Sequence, residues 1–334
     1  MFQQSNWAQG AMNVFEEYRR LRDPYGPEYD QLFSKLVYTE PAESWDEFRR
    51  WSKELEGWGF RGQRNASWSL QTSLERELRL EHWYRNNGGH YYLDREANGR
   101  ELLLRFQEQA PRYTHDLPAA NDVASWLGLM QHYGAPTRLL DWTDSPYVAL
   151  YFAIEEPDDV AAIWAIDLGW VEERGRELIT PNGLPAMPRA GDARVEYLNN
   201  LLGQSTMPLI FRIDPIKGNS RIFAQSGFFL WKLFEQTPFF DQILTSMIRH
   251  PEIPCMPVVR KLEVSRGLRT EFLERLGSMG IHHSSLFPSE RRDIQGLELL
   301  CRSLRRGLQE KVRAEKDAAN DQLRASVLAM ETRG

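Results

Sequence analysis

The sequence predicts an α+β fold, with a mixed β core between helical N-terminal and C-terminal extensions. Three observations predict it. Helical periodicity dominates the two ends, over residues 11–56 and from Ser289 onward. β-rich runs collect between them, at residues 58–62, 160–168, 209–214, 227–231 and 255–262. The chain has 334 residues, 42% of them hydrophobic, which is enough for a core of that extent.

The elements follow in order. Trp45, Phe48, Trp51 and Leu55 recur at helical spacing, with Ser44 placed to cap that helix and Glu47 at the capping-box position. It ends near Gly57 and Gly59, and a short strand over 58–62 closes in Arg61-Gly62-Gln63. A charged helix is expected over 69–86, a loop at Asn86-Asn87-Gly88-Gly89, and a helix from Glu96 to Gln109 with Leu103 and Phe106 facing inward. Asp122–Gln131 carries Val123, Trp126, Leu127 and Met130 on one helical face.

Residues 137–143 read as a short strand and turn. Ser145 can cap the next helix and Pro146 suits its first position, with Tyr147–Ile154 apolar enough to be buried. Val160–Leu168 is a core strand, and 172–206 is an irregular insertion with one short helix. Leu209–Asp214, Arg221–Ala224 and Gly227–Trp231 form a strand-rich region, followed by a strand over Cys255–Leu262 and a helix from Arg266 that stops at Gly277. The domain reading is a helical extension over 1–44, a central domain over 45–295 with its insertion at about 172–206, and a charged C-terminal helix over 296–334.

Composition excludes several classes. A net charge of −6 and a pI near 5.8 argue against nucleic-acid binding through overall charge. Two cysteines, Cys255 and Cys301, are too few for a disulfide framework or a structural zinc site. No run approaches the ~18 apolar residues of a membrane span, and the polar first ten residues carry no apolar signal region, so a cytoplasmic location is expected. His282 and His283 are adjacent and would point apart on a strand, so no metal is expected. The Gly-rich phosphate-binding signatures and a Ser nucleophile elbow are absent.

Three clusters carry chemistry. In Phe60-Arg61-Gly62-Gln63, Arg61 at a strand end presents a planar fork of donors beside an accessible backbone. That suits a phosphate or carboxylate; an ion pair with a buried carboxylate is the plainer alternative. Between Gln131 and Ser145, the polar residues Gln131, His132, Tyr133, Thr137, Arg138, Asp141, Thr143 and Asp144 crowd a loop that leads into an apolar helix. They form either an internal network or the lining of a site, and Arg138 with Asp141 is open to reading as an ion pair. The third cluster is Arg221–Phe229, where Gln225 interrupts a β-rich run and Gly227 allows close backbone approach.

In order and spacing these clusters resemble the FRG domain family over roughly residues 45–295. The resemblance rests on Phe60-Arg61-Gly62-Gln63, then Trp68, Leu70 and Ser73, then Gln131-His132-Tyr133-Gly134-Ala135-Pro136-Thr137-Arg138-Leu139-Leu140-Asp141-Trp142-Thr143 and the helix Ala149–Ala153. It continues through Arg221–Phe229 to Gly280-Ile281 and Leu286-Phe287-Pro288. The layout is also similar to the arginine-type ADP-ribosyltransferases, which implies an ADP-ribosyltransferase-like β core and NAD as substrate. That resemblance implies Arg61 on the NAD phosphates, Asp141 and Thr143 around the nicotinamide ribose, and Gln225 orienting the ribose. Gly62, Gln63, His132, Tyr133, Arg138 and Tyr151 complete the implied cofactor-binding set.

Two departures stand out. The family's Ser-Thr-Ser triplet is Asp141-Trp142-Thr143 here, and its late Glu is Gln225, which can hydrogen-bond a hydroxyl but cannot ionise. The implied activity is ADP-ribosyl transfer or NAD hydrolysis, in a bacterial toxin or phage-defence effector, with a protein or nucleic-acid acceptor unspecified. The alternative is a non-catalytic nucleotide-sensing or interaction module, in which the charged helices at 11–56 and 296–330 contact a protein partner or a second copy.

Overall fold

The computed structural model describes residues 37–78, 95–179, 210–214, 220–232, 257–288 and 295–331, with single positions between 188 and 243. The helix expected over 11–36, the loop at 86–89 and most of the insertion at 172–206 lie outside the described residues. The order begins β1 (Val37–Ala42), α1 (Trp45–Glu54), β2 (Gly59–Gln63), α2 (Ser73–Glu77), α3 (Arg95–Gln109), α4 (Val123–His132), β3 (Leu139–Thr143) and α5 (Pro146–Ile154). It continues β4 (Val160–Ile166), α6 (Leu168–Ile179), β5 (Ile210–Ile213), α7 (Ser220–Ala224), β6 (Gly227–Lys232), β7 (Val259–Ser265), α8 (Arg269–Ser278), α9 (His283–Leu286) and α10 (Gln295–Glu331).

These elements form two compact units, neither continuous in sequence. The first comprises Met1–Gln71, Asn121–Ser125 and Leu139–Glu290; the second comprises Thr72–Ala120, Trp126–Arg138 and Arg291–Gly334.

The first unit is a sheet between helical layers. Among the described residues its strands run β1-β7-β4-β2-β3-β6-β5, with β1 and β7 parallel and the other neighbours antiparallel. The expected mixed α and β architecture is therefore present. β4 explains why its sequence is almost continuously apolar: Ala161, Ile163 and Ala165 join one buried cluster, and Ala162, Trp164 and Ile166 join the other. On the first face, Trp45, Phe48, Trp51 and the α5 residues Val148–Ile154 pack with Phe272 and Leu276 of α8. The ring of Trp45 meets that of Phe272 edge-on at 5.3 Å.

Several boundaries differ from the sequence reading. Residues 37–42 are a strand rather than helix, because a partner 222 residues later in the sequence supplies the ladder, Val37 pairing with Val259. Ser44 does cap α1, accepting from the Glu47 amide at 3.3 Å, but the Glu47 carboxylate takes the Glu43 amide instead of the Ser44 amide. Arg221–Ala224 is a short helix rather than strand, and its side chains are half-buried or exposed. The strand begins only at Gly227, after a turn in which Ser226 holds a left-handed φ of 46°. α6 makes the first part of the supposed irregular insertion helical, and β7 starts at Val259, not Cys255. α8 runs past Gly277 to Ser278, and the chain leaves it through Gly280 at φ 78°.

The second unit is helical in the described residues. Thr72 and Glu75, both buried, form a reciprocal capping box at the start of α2. α3 buries Asn98, Leu102 and Phe106, so the inward stripe passes through Leu102 rather than Leu103. Phe106 meets Trp126 of α4 edge-on at 6.0 Å. The charged C-terminal helix also contributes to the core: Leu297, Leu300, Cys301, Leu304, Leu308 and Val312 of α10 are buried at spacings of three and four. Ion pairs flank that stripe, Arg305 with Glu77 and Lys311 with Glu101, each at 2.9 Å. No helix among the described residues is long and apolar enough to cross a membrane.

Candidate functional site

β2 and β3 touch at one register position only, Phe60 opposite Thr143, while β2 follows β4 for five positions and β3 follows β6 for five. The two strands therefore diverge immediately beyond that pair. Arg61 is the next residue into the fork. Its Nη1 donates to the main-chain carbonyl of Asp141 at 2.5 Å, and the Asp141 carboxylate stands 3.8 Å away. The Arg61 side chain retains 17% of its exposure and Asp141 retains 64%, so both reach solvent at the fork.

Gly62 is small for a packing reason. A Cβ there would lie 2.0 Å from the Ala149 carbonyl oxygen and 2.7 Å from the Ala153 nitrogen, so the α5 backbone occupies the space of a side chain. Ala149 and Ala153 are fully buried on the matching helix face. This direct strand–helix contact fixes the backbone of β2 beside Arg61, and the open backbone expected at Gly62 is instead covered by α5. Gln63 is a bracket: its Oε1 accepts from Trp164 Nε1 at 2.8 Å and its Nε2 donates to the Ser69 carbonyl at 3.2 Å.

Thr143 stands at the junction of the two strands. Its hydroxyl donates to the Gln225 carbonyl at 2.7 Å and accepts from the Ser145 amide at 3.0 Å, while the Asp144 amide donates to the Ser226 carbonyl at 3.0 Å. The end of β3 is thereby tied to the turn that carries Gln225. The Gln225 amide nitrogen donates to the Leu286 carbonyl at 3.1 Å. Gln225 sits on this turn rather than within a strand. The structure thus links Arg61 to Asp141 one residue beyond the Phe60–Thr143 pair, and links Thr143 to the turn of Gln225.

The other expected ligand residues divide. Tyr151 is buried on α5 and donates to Glu155 at 2.7 Å; burial first, and then that carboxylate, raise its pKa, so it remains a protonated donor. His132, Tyr133 and Arg138 belong to the second unit. There the rings of His132 and Tyr133 meet edge-on at 4.8 Å, and Arg138 is buried. The Thr137 hydroxyl donates to Gln131 and its amide donates to Ser73 Oγ at 2.9 Å. Thr137 is thus tied to both Gln131 and Ser73.

Three contributors had no local signal in the sequence. Arg212 grips Asp144 with two bonds of 2.6 and 2.9 Å, holds Asp214 at 2.8 Å and lies 4.0 Å over the Phe228 ring. Burial would lower the pKa of its guanidinium, but the two carboxylates outweigh burial and raise it. Arg269 caps α5 by donating to the Ile154 and Glu155 carbonyls at 3.0 and 2.7 Å. His283 is the first residue of α9; it stacks on Phe287 at 4.6 Å and contacts Glu155 at 3.2 Å. Partners tens of residues apart in sequence leave no periodic trace. Among the described residues no group of three His, Cys, Asp or Glu side chains is arranged to hold a metal ion.

Compared with known proteins, residues 56–161 match the FRG domain family. The matched segment runs from the approach to β2 to the first residues of β4 and includes both strands of the fork. No curated protein and no solved structure matches the chain.

Proposed function

We propose that this chain, which is an FRG domain protein, binds NAD at the fork between β2 and β3 and acts on it as an ADP-ribosyltransferase-like enzyme or NAD glycohydrolase. What supports the reading is the Arg61–Asp141 contact one residue beyond the Phe60–Thr143 pair, with the Thr143 hydroxyl tied to the Gln225 turn. Arg61 offers a planar donor set to a diphosphate at a position that solvent reaches. Thr143 positions the Gln225 turn; with its amide nitrogen committed to Leu286, Gln225 presents its amide oxygen to a ribose hydroxyl. The glycosidic bond then breaks with release of nicotinamide, and the ribosyl carbon passes to water or to an acceptor nucleophile. Consumption of NAD or modification of a cellular target would suit a toxin or a phage-defence effector.

A second reading is nucleotide sensing without turnover, and the neutral, internally bonded Gln225 favours it. One experiment separates the two. The chain is incubated with labelled NAD, with nicotinamide release, label transfer and melting temperature all measured. Turnover that is lost in Arg61→Ala supports the enzyme. A melting shift without turnover supports the sensor. Absence of binding, release and transfer together removes both.

A further inference from the structure

The segment after β2 carries an aromatic ring that neither the core nor the fork uses. Trp68 keeps 44% of its exposure, and the Arg64 guanidinium lies 5.0 Å from the centre of its ring. An exposed Trp on a floppy loop would mean little, but this loop is pinned throughout. The Arg64 carbonyl accepts from the Asp158 amide at 2.9 Å, Asn65 Nδ2 donates to Asp158 at 2.7 Å, and the Ala66 amide donates to the Val160 carbonyl at 2.8 Å. Asn65 Oδ1 accepts from both the amide and the hydroxyl of Ser67, and the Trp68 amide donates to the Asn65 carbonyl at 3.3 Å. The return arm is held where Gln63 donates to the Ser69 carbonyl.

That last bond also sets direction. Side chains two apart on a strand share a face and are separated by about 6.6 Å, so Gln63 and Arg61 point to the same side of β2. The Trp68 segment therefore crosses that side one repeat away from Arg61. Charge distinguishes the two ends. Beside Trp68 lies the acidic turn Glu155-Glu156-Pro157-Asp158-Asp159, which repels a phosphate and tolerates an uncharged ring. Arg61 is at the other end, at the fork.

We infer that Trp68, with Arg64 across its ring, is a stacking platform for the purine base of a nucleotide whose phosphates reach Arg61. The ring supplies a flat apolar surface on a loop ordered before binding, so little entropy is lost when a base settles there. This rests on the proposed NAD site in one respect only, the placing of the phosphates at Arg61.

The test is calorimetric titration of the wild-type chain, Trp68→Ala, Trp68→Phe and Arg61→Ala with ADP-ribose, AMP and nicotinamide mononucleotide. Trp68→Ala is expected to weaken ADP-ribose and AMP roughly tenfold while leaving nicotinamide mononucleotide unchanged. Trp68→Phe keeps a ring and should retain most of the affinity. Because Trp68 is exposed, Trp68→Ala should melt as the wild type does. Wild-type affinity for AMP and ADP-ribose in Trp68→Ala, alongside weakened binding in Arg61→Ala, overturns the platform and keeps the phosphate site. The converse pattern keeps the platform and removes Arg61 from the site. A wild-type chain that binds none of the three ligands overturns both.

Discussion

The guanidinium of Arg61 donates to the main-chain carbonyl of Asp141 across the opening between two strands that touch at a single pair. The same residue's carboxylate lies 3.8 Å away, so the cation proposed to receive phosphate already has a competing anion beside it. Asp141→Asn removes that competitor and leaves the carbonyl bond intact. Diphosphate-ligand affinity should rise roughly threefold, a modest gain because the carboxylate is well solvated. Added salt should shrink the difference. Titration with ADP-ribose at two ionic strengths reads it, and a weaker Asp141→Asn would show that the carboxylate contributes to binding instead.

Gly62→Ala places a methyl group inside the α5 backbone at the Ala149 carbonyl. Backbone cannot step aside as a side-chain tip can, so the expected cost is about 3 kcal/mol. Gly57→Ala is the control. It meets nothing within 4 Å but must adopt φ 84°, and should cost only about 1 kcal/mol. Denaturant unfolding of the two variants should therefore rank them in that order.

Cys301 lies buried on α10, its thiol directed at the Met130 carbonyl. Burial pushes its pKa up to about 12. Below the unfolded value of about 8.5 both states hold the proton and the shift costs nothing. As pH rises from there toward 12, the unfolded chain releases its proton first, so stability falls across that window. In a Cys255→Ser background, Cys301 should resist alkylation at pH 8 while folded and react on unfolding. Melting temperatures should decline above about pH 8.5.

Among the described residues the buried apolar stripe of α10 runs through Leu304 and Leu308 to Val312. Leu304→Ala and Leu308→Ala should each cost about 2–4 kcal/mol, read by denaturant unfolding.

Local signals carried much of this architecture. Ser145 followed by Pro146 marked the start of α5, and both residues take those roles. The alternating burial of β4 required its continuous apolar run. Pairing over long separations was not legible. Val37 reads like the residues of a helix flank until Val259 supplies its partner, and Arg212 has no visible tie to Asp144, 68 residues earlier. The candidate site follows the same division. Arg61 stood out as a charged residue at a strand end, and Thr143 as one of the polar residues crowded before an apolar helix. What could not be read was that Gly62 serves a helix backbone, or that the Gln225 amide is committed to Leu286. Those facts depend on which surfaces meet.

The parallel pairing of β1 with β7 has a consequence for biosynthesis. β7 lies between β1 and β4, so until residues 259–265 leave the ribosome β1 has no ladder and β4 has an open edge. The segment that matches the family, residues 56–161, holds β2, β3 and only the first two residues of β4, joined by the single Phe60–Thr143 pair. The stretch of sequence that matches the family therefore lacks the strand β6 that pairs with β3 and most of the strand β4 that pairs with β2. A nascent chain ending there has an unfinished sheet, and only β7 covers the remaining edge of β4.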